Sequence, residues 1–199
     1  MKSLKLMGLM TLTLLIGMSF TDAPLVKTLK ANLENSVINW KGHKVTGSHT
    51  GTLKLKAGEL SYTEDVLTGG YFVVDMASIN CTDLQPGKGK EKLEGHLKSA
   101  DFFGVEKFPT ARFEITKVVS RGTAGDYRVS GNLTIKESTK SIKFNAVVKK
   151  DAKGSVATAA IKIDRTDFDV RYGSGSFFDN LGDKTIYDEF DLNLSLVVE

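Results

Sequence analysis

The sequence predicts an all-β protein: eight antiparallel strands closed into a barrel, with one short helix between the third and fourth strands. Three observations carry this prediction. Apolar and polar residues alternate in stretch after stretch from near residue 35 to the end, long helical patterns are few, and connections rich in Gly separate the alternating stretches. Successive side chains of a strand point to opposite faces, so each such stretch has one apolar and one largely polar face. So many half-apolar strands must sandwich or close their sheet, and closure turns one whole set of apolar faces into a lumen.

The elements follow in order. Residues 24–35 read as a lead into the fold, and residues 36–42 form the first strand, with Ile38 and Trp40 on one face. Residues 43–51, rich in Gly, Ser, Thr and His, read as a connection. Leu53 and Leu55 alternate with lysines and threonine in the second strand, which residues 59–62 extend. Gly69 and Gly70 open the third, over 71–78, with Phe72, Val74 and Met76 on one face. The period then changes: Leu93 and Leu97 stand four apart inside 90–100 and predict a short amphipathic helix, followed by an aromatic-rich connection from Asp101 to Pro109. Alternation resumes over 111–119, 127–136, 141–150, 155–165 and 188–199. The long connection 166–187 carries Phe168, Tyr172, Phe177, Phe178 and Tyr187. Gly131, Ala146, Ala157 and Ala159 fall on the inferred inward faces, where small residues leave room that Leu or Phe would fill.

Bulk properties narrow the function classes. At 41% hydrophobic and 26% charged residues, the chain has a globular rather than a disordered composition. The net charge of +3 is too small, and Arg too dispersed, to imply nucleic acid as a partner. Residues 1–23 read as a signal peptide, with Lys2 and Lys5 ahead of a mostly apolar stretch that ends at small residues near Ala23. That apolar stretch is shorter than the ~20 residues a membrane-spanning helix needs. The expected product is a periplasmic or secreted domain over 24–199. Cys81 is the only cysteine, which excludes an intramolecular disulfide, and it reads as a small residue in a loop.

Motifs for chemistry are sparse. His43, His49 and His96 are the only histidines, and their spacing matches no metal-ligand signature. His49, beside Gly47 and Gly51, is expected to hydrogen-bond backbone in a tight connection. There is no Gly-x-Ser-x-Gly elbow, and the glycines of 172–176 lack the context of a dinucleotide fingerprint. The reading is therefore of a non-enzymatic protein, with no cofactor and no metal site assigned.

In order along the chain, several stretches carry a family resemblance: the Trp40 strand, His49-Thr50-Gly51, 70–76 (GYFVVDM), 97–103 (LKSADFF), 107–113 (KFPTARF), 131–136 (GNLTIK) and 163–168 (IDRTDF). Together they resemble the YceI-like family of exported, lipocalin-like proteins. Two departures fall in connections: Glu137-Ser138-Thr139-Lys140 replaces a Gly and β-branched pair before Thr-Lys, and Asp169 stands where the family commonly has Gly. The resemblance implies a barrel that binds a polyisoprenoid or similar long-chain amphiphile along its lumen.

Burying a hydrocarbon tail is worth ~0.8 kcal/mol per CH₂, so a dry tunnel of suitable length binds one. The inward faces nominate Trp40, Phe113, Ile135, Phe144, Ala146, Ala157, Ile161, Phe190, Leu192 and Leu194 as ligand-binding residues. Arg165 and Arg171 are candidates for a headgroup, with ion pairs to Asp164, Asp167 or Asp169 as the competing role. A transient contact with the membrane fits this reading, and both monomer and homodimer are left open. The alternative is a structural or interaction barrel, its lumen packed by side chains, that works through loops such as 166–187.

Overall fold

The computed structural model describes residues 25–150 and 154–199, so the expected signal peptide at 1–23 lies outside the described residues. Among the described residues nine strands form one antiparallel sheet: β1 (Val26–Lys30), β2 (Val37–Lys44), β3 (Gly47–Thr63), β4 (Val66–Cys81), β5 (Thr110–Ser120), β6 (Asp126–Ile135), β7 (Ser138–Lys150), β8 (Ser155–Asp164) and β9 (Ile186–Val198). From β2 to β9 each strand pairs with the next in sequence, and β9 returns to β2 through Ile38–Leu194, Trp40–Leu192 and Gly42–Phe190. That pair closes an eight-position barrel.

The ninth strand does not add a position. β1 pairs with the far half of β3 through Val26–Thr63 and Leu29–Leu60, while β2 pairs with its near half through Ile38–Leu53. The two short strands therefore share one side of β3. Between them the Asn32 carboxamide oxygen accepts from the N–H groups of Glu34 and Asn35, a side-chain turn that breaks the strand. The Ser36 hydroxyl, buried at this break, accepts from the Val197 N–H and so stands in for a missing backbone partner. The segment expected to be a mere lead is thus a seam strand. Its alternation is weak because it packs one face on β3 only at Leu29.

The helix α1 (Lys90–Lys98) lies between β4 and β5, the third and fourth barrel positions. Glu91 in its first turn accepts from the Gly87 N–H, and Lys90 pairs with Glu94 one turn on. It ends where Ser99, in extended conformation, donates its N–H to the carbonyls of Gly95 and His96. The connection expected over 43–51 is shorter than that. Strands β2 and β3 run through it to a tight turn at Val45 and Thr46, because the ladder Gly42–His49 to Lys44–Gly47 uses backbone groups and not side chains.

The two connections that carry the departures from the family pattern lie side by side. Lys136, in the β6–β7 turn at φ 55°, donates its ammonium to the Asp169 carbonyl at 3.0 Å, and Lys140 pairs with Asp167. Asp169 itself sits at φ 57°, the left-handed region that glycine takes freely and that Asp tolerates better than most residues.

Three aromatic rings occupy space left by glycines on the inner wall. Trp40 covers Gly51, Phe72 covers Gly58 and Phe113 covers Gly131. The room expected at Gly131 is therefore taken by Phe113: a Cβ there would run into its ring and into the Glu114 carbonyl. Gly131→Ala is expected to lower unfolding free energy by about 1–3 kcal/mol in urea titrations, as overpacking does.

Inside, two buried clusters divide the barrel. One gathers Leu60, Tyr62, Val148, Leu196 and Val198; the other gathers Met76, Ile79, Ala111, Ile135, Ile163 and Phe168 beneath the segment after α1. Leu53, Val74 and Leu192 touch both.

Candidate ligand-binding site

Burial changes in the same sense along the inward faces of β7 and β9. On the inward face of β7, Ile142 and Phe144 are half-buried while Ala146 and Val148 are buried; on β9, Phe190, Leu192 and Leu194 are half-buried while Leu196 and Val198 are buried. On β6, Leu133 is half-buried between buried Gly131 and buried Ile135, and on β8 Ala159 and Ile161 are half-buried short of buried Ile163. Inward-facing apolar side chains that keep exposed surface must border a void. The barrel is hollow along Ile142, Phe144, Ile161 and Leu192 and packed around Tyr62 and Val198, with the buried Ile135, Ile163 and Phe168 beyond the void.

The void is a cavity of about 380 Å³, within the size range of small-molecule sites. Phe113, Leu133, Ile142, Phe144 and Ile161 form much of its wall, with the Phe113 and Phe144 rings 5.4 Å apart at 47°. Leu93 and Leu97 of α1, with Phe102 and Phe103 just beyond it, close over one end. His43, Lys44, Ser48, His49, Arg165 and Tyr187 contribute polar groups at the border.

Of the residues nominated from sequence, Trp40, Phe113, Ile135, Phe144, Ile161, Phe190, Leu192 and Leu194 line this cavity. Ala146 and Ala157 do not. Both belong to the packed part, where Ala146 is buried and Ala157 packs against the Leu60–Val198 cluster, so their small size accommodates neighbours and opens no space. The sequence nominated neither the strand residues Leu53, Phe72, Leu133 and Ile142 of this wall nor the cap residues Leu93, Leu97, Phe102 and Phe103, of which the Leu93–Leu97 spacing was the visible trace.

The two arginines separate. Arg165 borders the cavity but is only 4% exposed, and each of its three guanidinium nitrogens is engaged. It donates to the carbonyls of Val170 at 2.6 Å, Ile186 at 3.0 Å and Tyr187 at 3.1 Å, and pairs with Asp188 at 3.4 Å. It therefore ties the 166–187 connection to the start of β9, and its partner is Asp188, not the Asp164, Asp167 or Asp169 expected. Arg171 lies off the cavity, paired with Asp169 at 2.7 Å and placed over the Phe177 ring.

Histidines complete the rim. His43 Nε2 contacts Asp191 Oδ2 at 2.8 Å, and Lys162 joins the same carboxylate at 3.2 Å. The hydrogen bond from His43 holds the Asp191 carboxyl below its ordinary range. His49 faces a carboxylate and not the backbone expected: its Nδ1 lies 2.9 Å from Asp83 Oδ2. Cys81 is not in a loop but at the end of β4, fully buried, with its thiol donating to Asp83 Oδ1 at 3.1 Å. Burial alone would raise the Asp83 carboxyl, yet hydrogen bonds from Cys81, the Thr50 N–H and His49 bring it down to about 2. Burial and Asp83 together push the Cys81 thiol up.

Comparison with known proteins places this architecture. A family model described as the YceI-like domain matches residues 29–198. The chain belongs to the YceI-like family. Among curated relatives, this YceI-like chain is 31% identical to a UPF0312 protein of Vibrio cholerae over 126 residues, which are 58% of the chain and 64% of that protein. It is 33% identical to a UPF0312 protein of Staphylococcus aureus over 85 residues, 41% of the chain and 48% of that protein. The chain thus spans less than two thirds of the curated relatives it matches. Among solved structures, BcnA of Burkholderia cenocepacia superposes with a TM-score of 0.70 at 19% identity, covering 85% of this chain and 99% of BcnA. A polyisoprenoid binding domain from Saccharophagus degradans gives 0.63 at 14% identity, covering 86% and 97%. At those identities the likeness concerns the fold of the YceI-like barrel.

Proposed function

We propose that this protein binds a polyisoprenoid or similar long-chain amphiphile in the hollow part of its barrel, and carries, stores or sequesters it as an exported protein. The observation that carries the reading is the row of half-buried apolar side chains on the inward faces of β6 to β9, which border an apolar cavity of about 380 Å³. A hydrocarbon chain is the ligand class that gains most from such a wall, since it offers dispersion and burial and few polar partners.

A further feature supports the reading. The Saccharophagus degradans neighbour is a polyisoprenoid binding domain of the same fold. The protein acts here by binding and not by catalysis. The packed lumen of the alternative reading describes the barrel around Tyr62 and Val198 and around Ile163 and Phe168, and not the void between them. Tyr172, Phe177 and Phe178, each about half exposed on the 166–187 connection, would serve a passing contact with a membrane surface.

Mass spectrometry of an organic extract tests this. Protein expressed with its leader in a bacterial host and purified without detergent is expected to release a prenyl or acyl lipid at near one per chain. Absence of lipid, with no uptake of added prenyl chains, would overturn it.

A further inference from the structure

A second constellation lies at the rim, where β3 meets the segment that leaves β4 for α1. His49 comes from β3, Cys81 from the last position of β4, and Asp83 from two residues beyond. Gly51 pairs with Cys81 across the two strands, which sets the three side chains against one another. One nitrogen, one sulfur and one carboxylate oxygen converge with all three donor atoms within 4.8 Å of each other.

From this geometry we propose that His49 Nδ1, Cys81 Sγ and Asp83 form a binding site for a borderline-soft divalent cation of the zinc type. Three arguments support it. The donor set is thiolate, imidazole and carboxylate, which zinc accepts in tetrahedral sites, whereas hard cations such as Mg²⁺ or Ca²⁺ select oxygen alone. Size also fits. Tetrahedral zinc with bonds of about 2.0–2.3 Å holds such donors about 3.4–3.6 Å apart. The donors here lie within 4.8 Å of one another, His49 Nδ1 on Asp83 Oδ2 at 2.9 Å and Cys81 Sγ on Asp83 Oδ1 at 3.1 Å, so side-chain rotations of about an ångström bring one oxygen, the nitrogen and the sulfur to that spacing.

Third, the ligands are held from behind. The Thr50 N–H donates to Asp83 Oδ1 at 3.0 Å, the Cys81 N–H donates to Glu94 Oε1 at 2.7 Å, and the Thr82 N–H donates to the Thr50 carbonyl at 2.9 Å. Outer contacts of this kind orient ligands. The side chains of His49 and Asp83 are each about one third exposed, so a cation has a path in and a fourth position for water.

On binding, the bond from Cys81 Sγ to the metal forms as the thiol proton leaves to solvent. His49 presents the Nδ1 lone pair with its proton on Nε2, and Asp83 exchanges its hydrogen bonds from the thiol and the imidazole for the metal bond. The cation would then staple β3 to the connection that leads into α1, and so fix the cap whose Leu93 and Leu97 close the cavity. This holds whatever the lumen carries.

Cobalt(II) titration of the reduced, chelator-treated protein reads the site directly. One equivalent is expected to raise a thiolate-to-cobalt charge-transfer band with visible bands of tetrahedral intensity, and zinc added afterwards is expected to abolish both. Cys81→Ser should remove the charge-transfer band. His49→Gln, at a part-exposed position where the fold tolerates change, should weaken cobalt binding at least tenfold while melting as one cooperative transition. No saturable band, a band that survives in Cys81→Ser, or unchanged affinity in His49→Gln would overturn the assignment.

Discussion

Replacing Arg165 with alanine is expected to remove about 3–5 kcal/mol of unfolding free energy, the usual result of deleting one partner of a buried charge pair. The loss is large because the guanidinium, 4% exposed, is the donor for three carbonyls on two segments and the partner of Asp188. Each carbonyl left unpaired in the interior adds its own desolvation cost. Arg165→Lys is expected to recover little, since a point charge cannot reach the Val170 carbonyl and the Ile186–Tyr187 backbone with one planar fork. Urea unfolding of both variants at neutral pH measures this.

The pH dependence provides a second check. Burial alone would raise the Asp188 carboxyl, but hydrogen bonds from Ser174 and Ser176 and the Arg165 charge hold it below its ordinary value. A carboxyl lowered in the folded state adds stability that is present above its unfolded value of about 3.9 and is lost as the pH falls through its folded value. Part of that contribution comes from Arg165. The gap between the native protein and Arg165→Ala should therefore narrow as the pH drops below about 4. A gap that stays constant across that range would assign the stabilisation to the carbonyl contacts alone.

Filling the hollow part should abolish lipid recovery without unfolding the barrel. Ile161 faces Leu192 across the β8–β9 pair, and both line the cavity. An indole at Ile161→Trp projects into the void and not into packed neighbours, so the protein should melt cooperatively within a few degrees of the native midpoint and carry at most about a tenth of its lipid. Ala146→Phe provides the contrast: it lies in the packed part, where it should cost about 1–3 kcal/mol by overpacking and leave lipid content unchanged. Extraction and thermal melts on the same preparations read both. Lipid retained in full by Ile161→Trp would move the ligand away from this cavity.

The contrast between those two positions marks how far the sequence could be read. Alternation identifies which face of a strand points inward, and Phe144 and Ala146 both satisfied it. It is silent on depth along the barrel, so it could not say that the void ends between them. The helix was legible because Leu93 and Leu97 repeat at one turn, and so was every strand whose inward face is long. The seam strand β1 was not, with Leu29 its only inner contact on the packed cluster.

Polar residues were harder still. Arg165 reads as a surface residue by type, and its burial follows from carbonyls that the 166–187 connection brings to it, which no local pattern records. His49 and Asp83 stand 34 positions apart, and only the register of β3 on β4 unites them. Isolated histidines gave no spacing to match.

The closure of the barrel by β9 on β2 has a kinetic consequence. His43 and Asp191, partners across that seam, are 148 positions apart in the chain. Until they meet, the sheet has two open edges, at β2 and at β9, each a template for pairing with another chain. The entropy of bringing such distant segments together must be met before their contacts reward it, which places refolding in the millisecond-to-second range of non-local β topologies. Conversely, once the Ser36 hydroxyl and the Lys30–Glu199 backbone bonds lock the seam, no short stretch can unzip without reopening the whole ring. The chain is thus vulnerable to aggregation early and resistant to local fraying late.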